Sequence, residues 1–331
     1  MSKVIENPKK YAGAELASTF FRPMLSGSSA IDLGVRVMYN MPVPTTLNFW
    51  RRTPDTLKAY AKGWTGGVET SRYQKTINLS RVKAEMSYAA SDYFSMVYEL
   101  IVGRSEVNLA DLSGTELEAA ETELFKKAIA ESIRATMWLG NTTRATGFNT
   151  FDGFIKQIAA DSSITPSGEQ IQKVAMTNMT TVGNAEKLFQ SIYEKSNPEL
   201  RSMKGEGQLV LLVTRDVYEN YESSLLSGNL DSVRAAKING IDTLYFRGIP
   251  VVDIAVDTYM SQCADLPQSV AILTDRRNLA MAVNTSDFPG AEVAMWYNPD
   301  ELENRQRAIF MAGCDYLMPE LMVVSLADVI I

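Results

Sequence analysis

Residues 41–88 read MPVPTTLNFWRRTPDTLKAYAKGWTGGVETSRYQKTINLSRVKAEMSY, and the fold turns on how this stretch is read. Cationic residues are spread along it: Arg51, Arg52, Lys58, Lys62, Arg72, Lys75, Arg81 and Lys83, with Asp55 and Glu69 in opposition. Gly63, Gly66 and Gly67 sit in the middle, beside Trp64. On the far side Ile77 and Leu79, then Val82, Ala84 and Met86, alternate with polar residues. That alternation has the two-residue period of a strand, and a glycine cluster marks a tip. The stretch therefore predicts a long two-stranded excursion with a glycine-rich tip. A hairpin of this kind has little core of its own and is marginal in water by itself, so it needs a partner surface. Two other readings stand beside this one. The first is a basic, solvated hairpin packed on its own domain. The second is a nucleic-acid arm, which is disfavoured because the basic residues are not gathered with aromatics into a stacking platform.

Upstream, residues 1–40 read as an extended arm, punctuated by Pro8, Gly13, Pro23, Gly27, Ser28 and Ser29. Such an arm orders by lying on a neighbour. Towards its end Ile31, Leu33, Val35, Val37 and Tyr39 alternate with other residues and predict a strand, which Pro42 and Pro44 stop.

Downstream, residues 113–139 form the clearest helix. Ser113 with Glu116 makes a capping box, and Gly140-Asn141 supplies the stop. Leu117, Ala120, Leu124 and Ala128 make one apolar stripe; Phe125, Ile129, Ile133 and Met137 make the next. Together they predict a broad buried face. Glu123–Lys127 is a favourable surface pair one turn apart. Glu116, Glu118, Glu121 and Glu123 crowd the first turns, and the preferred reading is a solvated face complementing the helix dipole rather than a metal or acid site. Beyond the helix, patterns alternate. Helices are expected over 185–195 and 216–226. Strands are expected over 209–213, 243–246, 249–256, 270–274, 279–283 and 291–297 and within 306–324. This mixture argues α+β with antiparallel or mixed sheet.

Composition narrows the chemistry. The chain has 331 residues, 46% of them hydrophobic, enough for a sizeable core and about two domains. Its net charge of −7 opposes extensive phosphate neutralisation, so any nucleic-acid contact is expected to be local and weak. There is no histidine, which removes Ser-His-Asp and Cys-His arrangements and the usual general base near neutral pH. Cys263 and Cys314 fit no zinc spacing and read as buried small hydrophobes in a reducing compartment. The 16 methionines fall mostly in apolar runs and read as core filling. The opening residues lack the apolar run of a signal peptide, and the apolar end, 322–331, is too short to span a bilayer. Lys204-Gly205-Glu206-Gly207 is the nearest glycine-rich turn, but it precedes a strand and so fails as a phosphate cradle. Asp315 with Glu320, or Asp300, Glu301 and Glu303, are candidates for acid–base pairs in space, with scattered acidic loop residues as the default reading. No catalytic, cofactor-binding or metal-binding residue is assigned.

The order of parts resembles the Hong Kong 97-type (Johnson) fold of tailed-phage major capsid proteins. Several stretches carry the likeness: 73–87 is similar to the returning strand of that family's E-loop. Residues 246–252, with Gly248-Ile249-Pro250-Val251, are similar to its Gly-hydrophobic-Pro-Val turn. Residues 271–279 resemble the strand and turn that follow, and 305–324 the final hairpin with its aromatic-x-x-Pro-hydrophobic strand. The resemblance implies an α+β fold with an N-terminal arm (1–40), an E-loop (41–88), the first part of a P-domain (89–145) with a spine helix at 113–139, an A-domain (146–280) and P-domain return strands (281–331). It implies a non-enzymatic subunit that self-assembles through hexamers and pentamers into an icosahedral capsid enclosing double-stranded DNA. That shell is assembled in the host cytoplasm and lies in the virion. Expected partners are further copies of the chain, a separate scaffolding protein, a portal protein, in some members a decoration protein, and packaged DNA without sequence specificity; no membrane is implied. Contacts between subunits are expected at Arg51, Arg52, Lys58, Trp64, Arg72 and Lys75, with Phe20 and Phe21 anchoring the arm. Some members form Lys–Asn cross-links, but no matching motif is found here. Two alternatives stay open: an encapsulin-type nanocompartment of the same fold, and a histidine-free α+β enzyme working through carboxylates.

Overall fold

A computed structural model describes residues 9–12, 35–39, 45–50, 59–63, 72–89, 116–167, 170–227, 236–238, 241–284 and 292–327. Among these residues the fold is a mixed α/β arrangement of two main sheets, a separate two-stranded ribbon and six α-helices.

The first sheet is organised by one long strand, β15 (Glu303–Tyr316). Its sequence alternates, and so does its burial: Asn304, Gln306, Ala308, Phe310 and Ala312 face inward, while Arg305, Arg307, Ile309 and Met311 face outward. One edge of β15 pairs antiparallel with β14 (Glu292–Asn298) and then with β13 (Leu279–Asn284). Its other edge pairs with β5 (Ser80–Ala89). Strands β1 (Lys9–Ala12) and β2 (Arg36–Tyr39) extend the sheet beyond β14 and β13.

Helix α1 (Glu116–Leu139) lies over the inner face of this sheet. Its 24 residues span about 36 Å. Phe125, Ile129, Ile133 and Met137 are buried, as their spacing predicts. The stripe of Leu117, Ala120, Leu124 and Ala128 is a correction: Leu124 is 53% exposed and Ala128 is also outside, so the apolar face is one stripe wide along the middle of the helix. Glu123 pairs with Lys126 at 2.9 Å, three residues on, rather than with Lys127. Glu121 is buried while Glu123 is exposed, so the acidic residues of the first turns do not share one solvated face. Ser113 of the expected capping box lies outside the described residues. The helix stops at Gly140 as expected, and for a packing reason. A Cβ there would stand 2.2 Å from the Phe151 carbonyl oxygen, and the Arg144 guanidinium donates to the Leu139 carbonyl at 2.9 Å. Helix α2 (Phe154–Asp161), not expected from the sequence, packs its Phe154 against Trp138 with ring centroids 5.3 Å apart.

The second sheet runs β6 (Ser162–Ser163), β7 (Ile171–Ala175), β16 (Met322–Leu326), β12 (Val270–Asp275), β8 (Leu209–Val213), β11 (Ile249–Asp253), β10 (Ile241–Phe246), β9 (Ala236–Ile238). Its central strands are covered on both faces. Val210, Leu212, Ile272 and Val324 face the core shared with α1; Leu209, Leu211, Val213, Leu273 and Val323 face a second core. The second core holds α3 (Asn184–Lys195) and α5 (Arg215–Ser227). Double coverage explains why Leu209–Val213 reads as an unbroken apolar run. The short helices α4 (Pro198–Ser202) and α6 (Asp257–Met260) lie in connections. Strands β10 and β11 join through Arg247-Gly248, both at positive φ (50° and 80°), the type I′ geometry that a two-residue hairpin favours. The strand expected to reach Val256 ends at Asp253, because Ala255 turns to φ 50°.

The expected final hairpin is corrected. The hairpin partner of β15 is β14, before it; after β15 the chain turns through Pro319–Leu321 and β16 joins the second sheet between β12 and β7.

Candidate functional site

The excursion departs from the first sheet as a ribbon of its own. Strands β3 (Thr45–Trp50) and β4 (Arg72–Ile77) pair antiparallel from Thr45 opposite Ile77 out to Trp50 opposite Arg72. Thr46 and Thr76 meet across the ribbon at 3.2 Å between hydroxyl oxygens. Residues 59–63 near the tip are all exposed, and Tyr60 is 96% so. Gly63 takes φ 97° with open space around it, so the turn there uses the left-handed region that glycine enters without steric cost. An aromatic ring wholly in water next to such a turn is apolar surface offered outward.

The base of the ribbon is built differently. Ile77 is fully buried in a small core with Met38, Ala280, Ala282 and Leu317, flanked by Leu47 and Leu79. There the chain crosses directly over β15. A Cβ on Gly313 would stand 2.2 Å from the Asn78 carbonyl oxygen, so only glycine admits that crossing. Two residues outward on the same side of β4, Lys75 reaches back to the body. Its ammonium lies 3.3 Å from Asp315 Oδ1 and 4.1 Å above the centre of the Tyr316 ring. The contact to Asp315 is ionic, without the alignment of a formed hydrogen bond. Tyr316 is itself held by its hydroxyl donating to Asp161 at 2.5 Å, at the end of α2. Burial pushes the Asp315 carboxyl up to about 6, against the opposing pull of Lys75.

Of the residues expected to make contacts, Lys75 is partnered within its own chain and Arg72 ends the ribbon opposite Trp50. Arg51, Arg52, Lys58, Trp64, Phe20 and Phe21 lie outside the described residues. Asp315, Tyr316, Asp161 and Gly313 carry the base of the excursion without having been expected to. Asp315 was considered only as half of an acid–base pair with Glu320, and its ionic partner proves to be Lys75. The other acidic group resolves similarly, with Glu301 and Glu303 both meeting Arg305.

A groove of about 370 Å³ lies between α1 and β5. Apolar side chains dominate its walls, among them Val82, Met86, Phe125, Ile129 and Phe310. Its charged residues, Lys83 and Glu85, neutralise each other at 2.8 Å. Ser132, Thr136 and Thr150 add hydroxyls to its lining, and the Thr136 hydroxyl donates to the Ser132 carbonyl at 2.7 Å. Among the described residues no three metal-ligating side chains cluster, and no helix is long and apolar enough to cross a membrane. Cys263 and Cys314 are both buried and unpaired with each other, and burial pushes both thiols up.

No family model matches the chain, and no curated protein matches it. Solved structures do. A chain of the satellite phage P4 procapsid including size determination (Sid) protein aligns over 94% of this chain and 98% of its own, at 9% identity and a TM-score of 0.58. A chain of the cyanophage P-SCSP1u capsid aligns over 91% and 88%, at 12% identity and a TM-score of 0.52. One from Gordonia phage Cozz aligns over 91% and 86%, at 11% identity and a TM-score of 0.52. At such identities the agreement is one of architecture, and it extends over more than nine-tenths of this chain.

Proposed function

We propose that this protein is a capsid subunit of a tailed bacteriophage: a structural, non-enzymatic chain whose copies close into an icosahedral shell around double-stranded DNA. The observation that carries the reading is the fold, shared over more than nine-tenths of the chain with a phage procapsid chain nearly equal in extent. The excursion supports it independently. A two-stranded ribbon with an exposed aromatic tip and a buried base is built to reach a surface its own chain does not supply. No observation favours the encapsulin or enzyme readings.

On this reading the parts carry Hong Kong 97-type roles. Residues 1–40 are the arm and 41–88 the E-loop. The first sheet with α1 as spine helix is the P-domain, from 89–145 and the return strands after 281. The second sheet with α3 and α5 is the A-domain, around 146–280. Met322–Leu326, which pairs with β12 and β7 in the second sheet, goes with the A-domain on this reading rather than with the other return strands. Hexamers and pentamers form between copies, with Arg51, Arg52, Lys58, Trp64, Arg72 and Lys75 on the E-loop and Phe20 and Phe21 on the arm at the contacts. Many weak contacts in a closed shell sum by multivalency. A separate scaffolding protein, a portal and a decoration protein complete the list of partners. DNA meets the inner wall locally, as a net charge of −7 requires. Assembly takes place in the host cytoplasm, and the mature location is the virion.

The contact assignment is tested by deleting residues 55–70 and sedimenting the product beside the intact chain. Loss of the fast-sedimenting species, with a folded slow-sedimenting subunit left behind, is the expected result. Shells of normal size from the deletion would remove the excursion from the interface.

A further inference from the structure

We propose that the Lys75–Asp315 pair is a latch that fixes the direction in which the excursion leaves the body, and thereby where its tip meets a neighbouring copy. Three observations carry this. Ile77 and the Asn78–Gly313 crossing pin the ribbon at one place, and a ribbon pinned at one place can still swing about it. Lys75 adds a second attachment farther out on the same strand and the same side, while Gln74 and Thr76, its two chain neighbours, are exposed. The site is built to hold a cation in place. Both partners are largely sheltered, with side chains 20% and 14% exposed, and the ring beneath Lys75 is itself fixed by Asp161 from α2. An ammonium sandwiched between a carboxylate and a fixed aromatic face has a narrower range of positions than one in water.

Among the described residues, the charged and titratable groups around Asp315 are few. Lys75 comes from β4, Asp161 from α2, and Cys314 and Tyr316 from β15 itself. Asp161 raises the Asp315 carboxyl and Lys75 lowers it, so the two neighbours compete for its charge. Lys75 is the only cation among them. Removing it leaves a sheltered carboxylate facing another acid, and removing Asp315 leaves the cation with the ring alone.

The orientation can be read on the full chain before any assembly, although its consequence for assembly rests on the shell-subunit reading. Spin labels are placed at Lys62→Cys near the tip and Lys187→Cys on α3, both exposed, with the buried Cys263 and Cys314 left in place. Pulsed dipolar spectroscopy then gives the distribution of tip-to-body distances. The intact pair is expected to give one narrow distribution. Lys75→Met and Asp315→Asn should each lower the held population about ten-fold relative to the swung ones, as loss of a charge-assisted contact implies. Lys75→Arg, which keeps the cation, should restore the narrow distribution. In electron micrographs, Lys75→Met and Asp315→Asn should yield about ten-fold fewer closed shells, and Lys75→Arg a normal number. Asp315→Asn removes a buried charge and so retains the fold, which keeps the experiment decisive even if Lys75→Met unfolds. Unchanged distributions in both variants would overturn the latch, as would swung ribbons that still close shells at the normal yield. Failure of the unmodified chain to assemble would count against the shell reading alone, because the distance distributions still decide the orientation.

Discussion

Asp315→Asn should gain stability relative to the parent as pH rises towards neutral and erase one pH dependence. In the folded chain burial pushes the Asp315 carboxyl up from 3.8 to about 6. In the unfolded chain it titrates near the ordinary aspartate value of about 3.9. The folded state therefore binds this proton more tightly, and between about pH 4 and pH 6 it holds a proton that the unfolded state has lost. Stability from this group is fully present below about pH 4 and is lost as pH rises through 6. A difference of about two pKa units corresponds to about 3 kcal/mol. Lys75 is already included in that balance, since its attraction lowers the value that burial raises. Asparagine carries no charge at any pH and keeps the side chain's volume. Urea unfolding of both chains between pH 4 and 8, at concentrations below assembly, isolates the effect, because every other titrating group cancels in the difference. The stability of the variant relative to the parent should climb by about 2 kcal/mol from pH 4 to pH 7, with unchanged denaturant slope. Parallel curves over that range would show that Asp315 is not strained by burial, and the electrostatic account of the ribbon base would fall with it.

Neighbouring residues of α1 should behave oppositely: Phe125→Ala should cost about 3–5 kcal/mol, and Leu124→Ala less than about 0.5 kcal/mol, by urea unfolding. Equal costs would mean that the helix presents a different face. Gly313→Ala should destabilise by about 1–3 kcal/mol and raise hydrogen exchange over 77–80, since the new methyl would meet the Asn78 carbonyl. Arg144→Ala removes the donor to the Leu139 carbonyl and the partner of Asp265, and should cost about 1.5–3 kcal/mol, seen as fraying of the end of α1 by hydrogen exchange. A thiol reagent at neutral pH should leave Cys263 and Cys314 untouched until urea unfolds the chain, because both are buried and their thiols are held protonated.

What could be read in advance was what local pattern encodes. Phe125, Ile129, Ile133 and Met137 mark α1 because a helix repeats every 3.6 residues, and Gly140 marks its end because the chain needs a residue without a side chain there. The ribbon was legible only in part: Gly63 marked the neighbourhood of its tip, but the alternating Val82, Ala84 and Met86 read as its returning strand belong to β5, which leaves the ribbon and pairs with β15 in the first sheet. The extra width assigned to α1 was not, because Leu124 and Ala128 are good helix formers whose apolarity carries no information about which side is covered. Helix α2 went unseen because its eight residues complete barely two turns. The move of β16 into the second sheet lies beyond any local pattern, since an apolar strand pairs as readily in one sheet as in another. The ribbon base was hidden for a related reason: Lys75 reads as one more solvated cation until a distant strand brings Asp315 and Tyr316 beneath it.

The central claim, that copies of this chain close into a shell, is tested most directly by negative-stain electron microscopy. The chain is imaged expressed alone and then together with a phage scaffolding protein. The account predicts closed shells, tubes or capsomer rings tens of nanometres across, with nuclease-protected DNA inside particles recovered from infected cells. A uniform monomer or dimer under both conditions would contradict it.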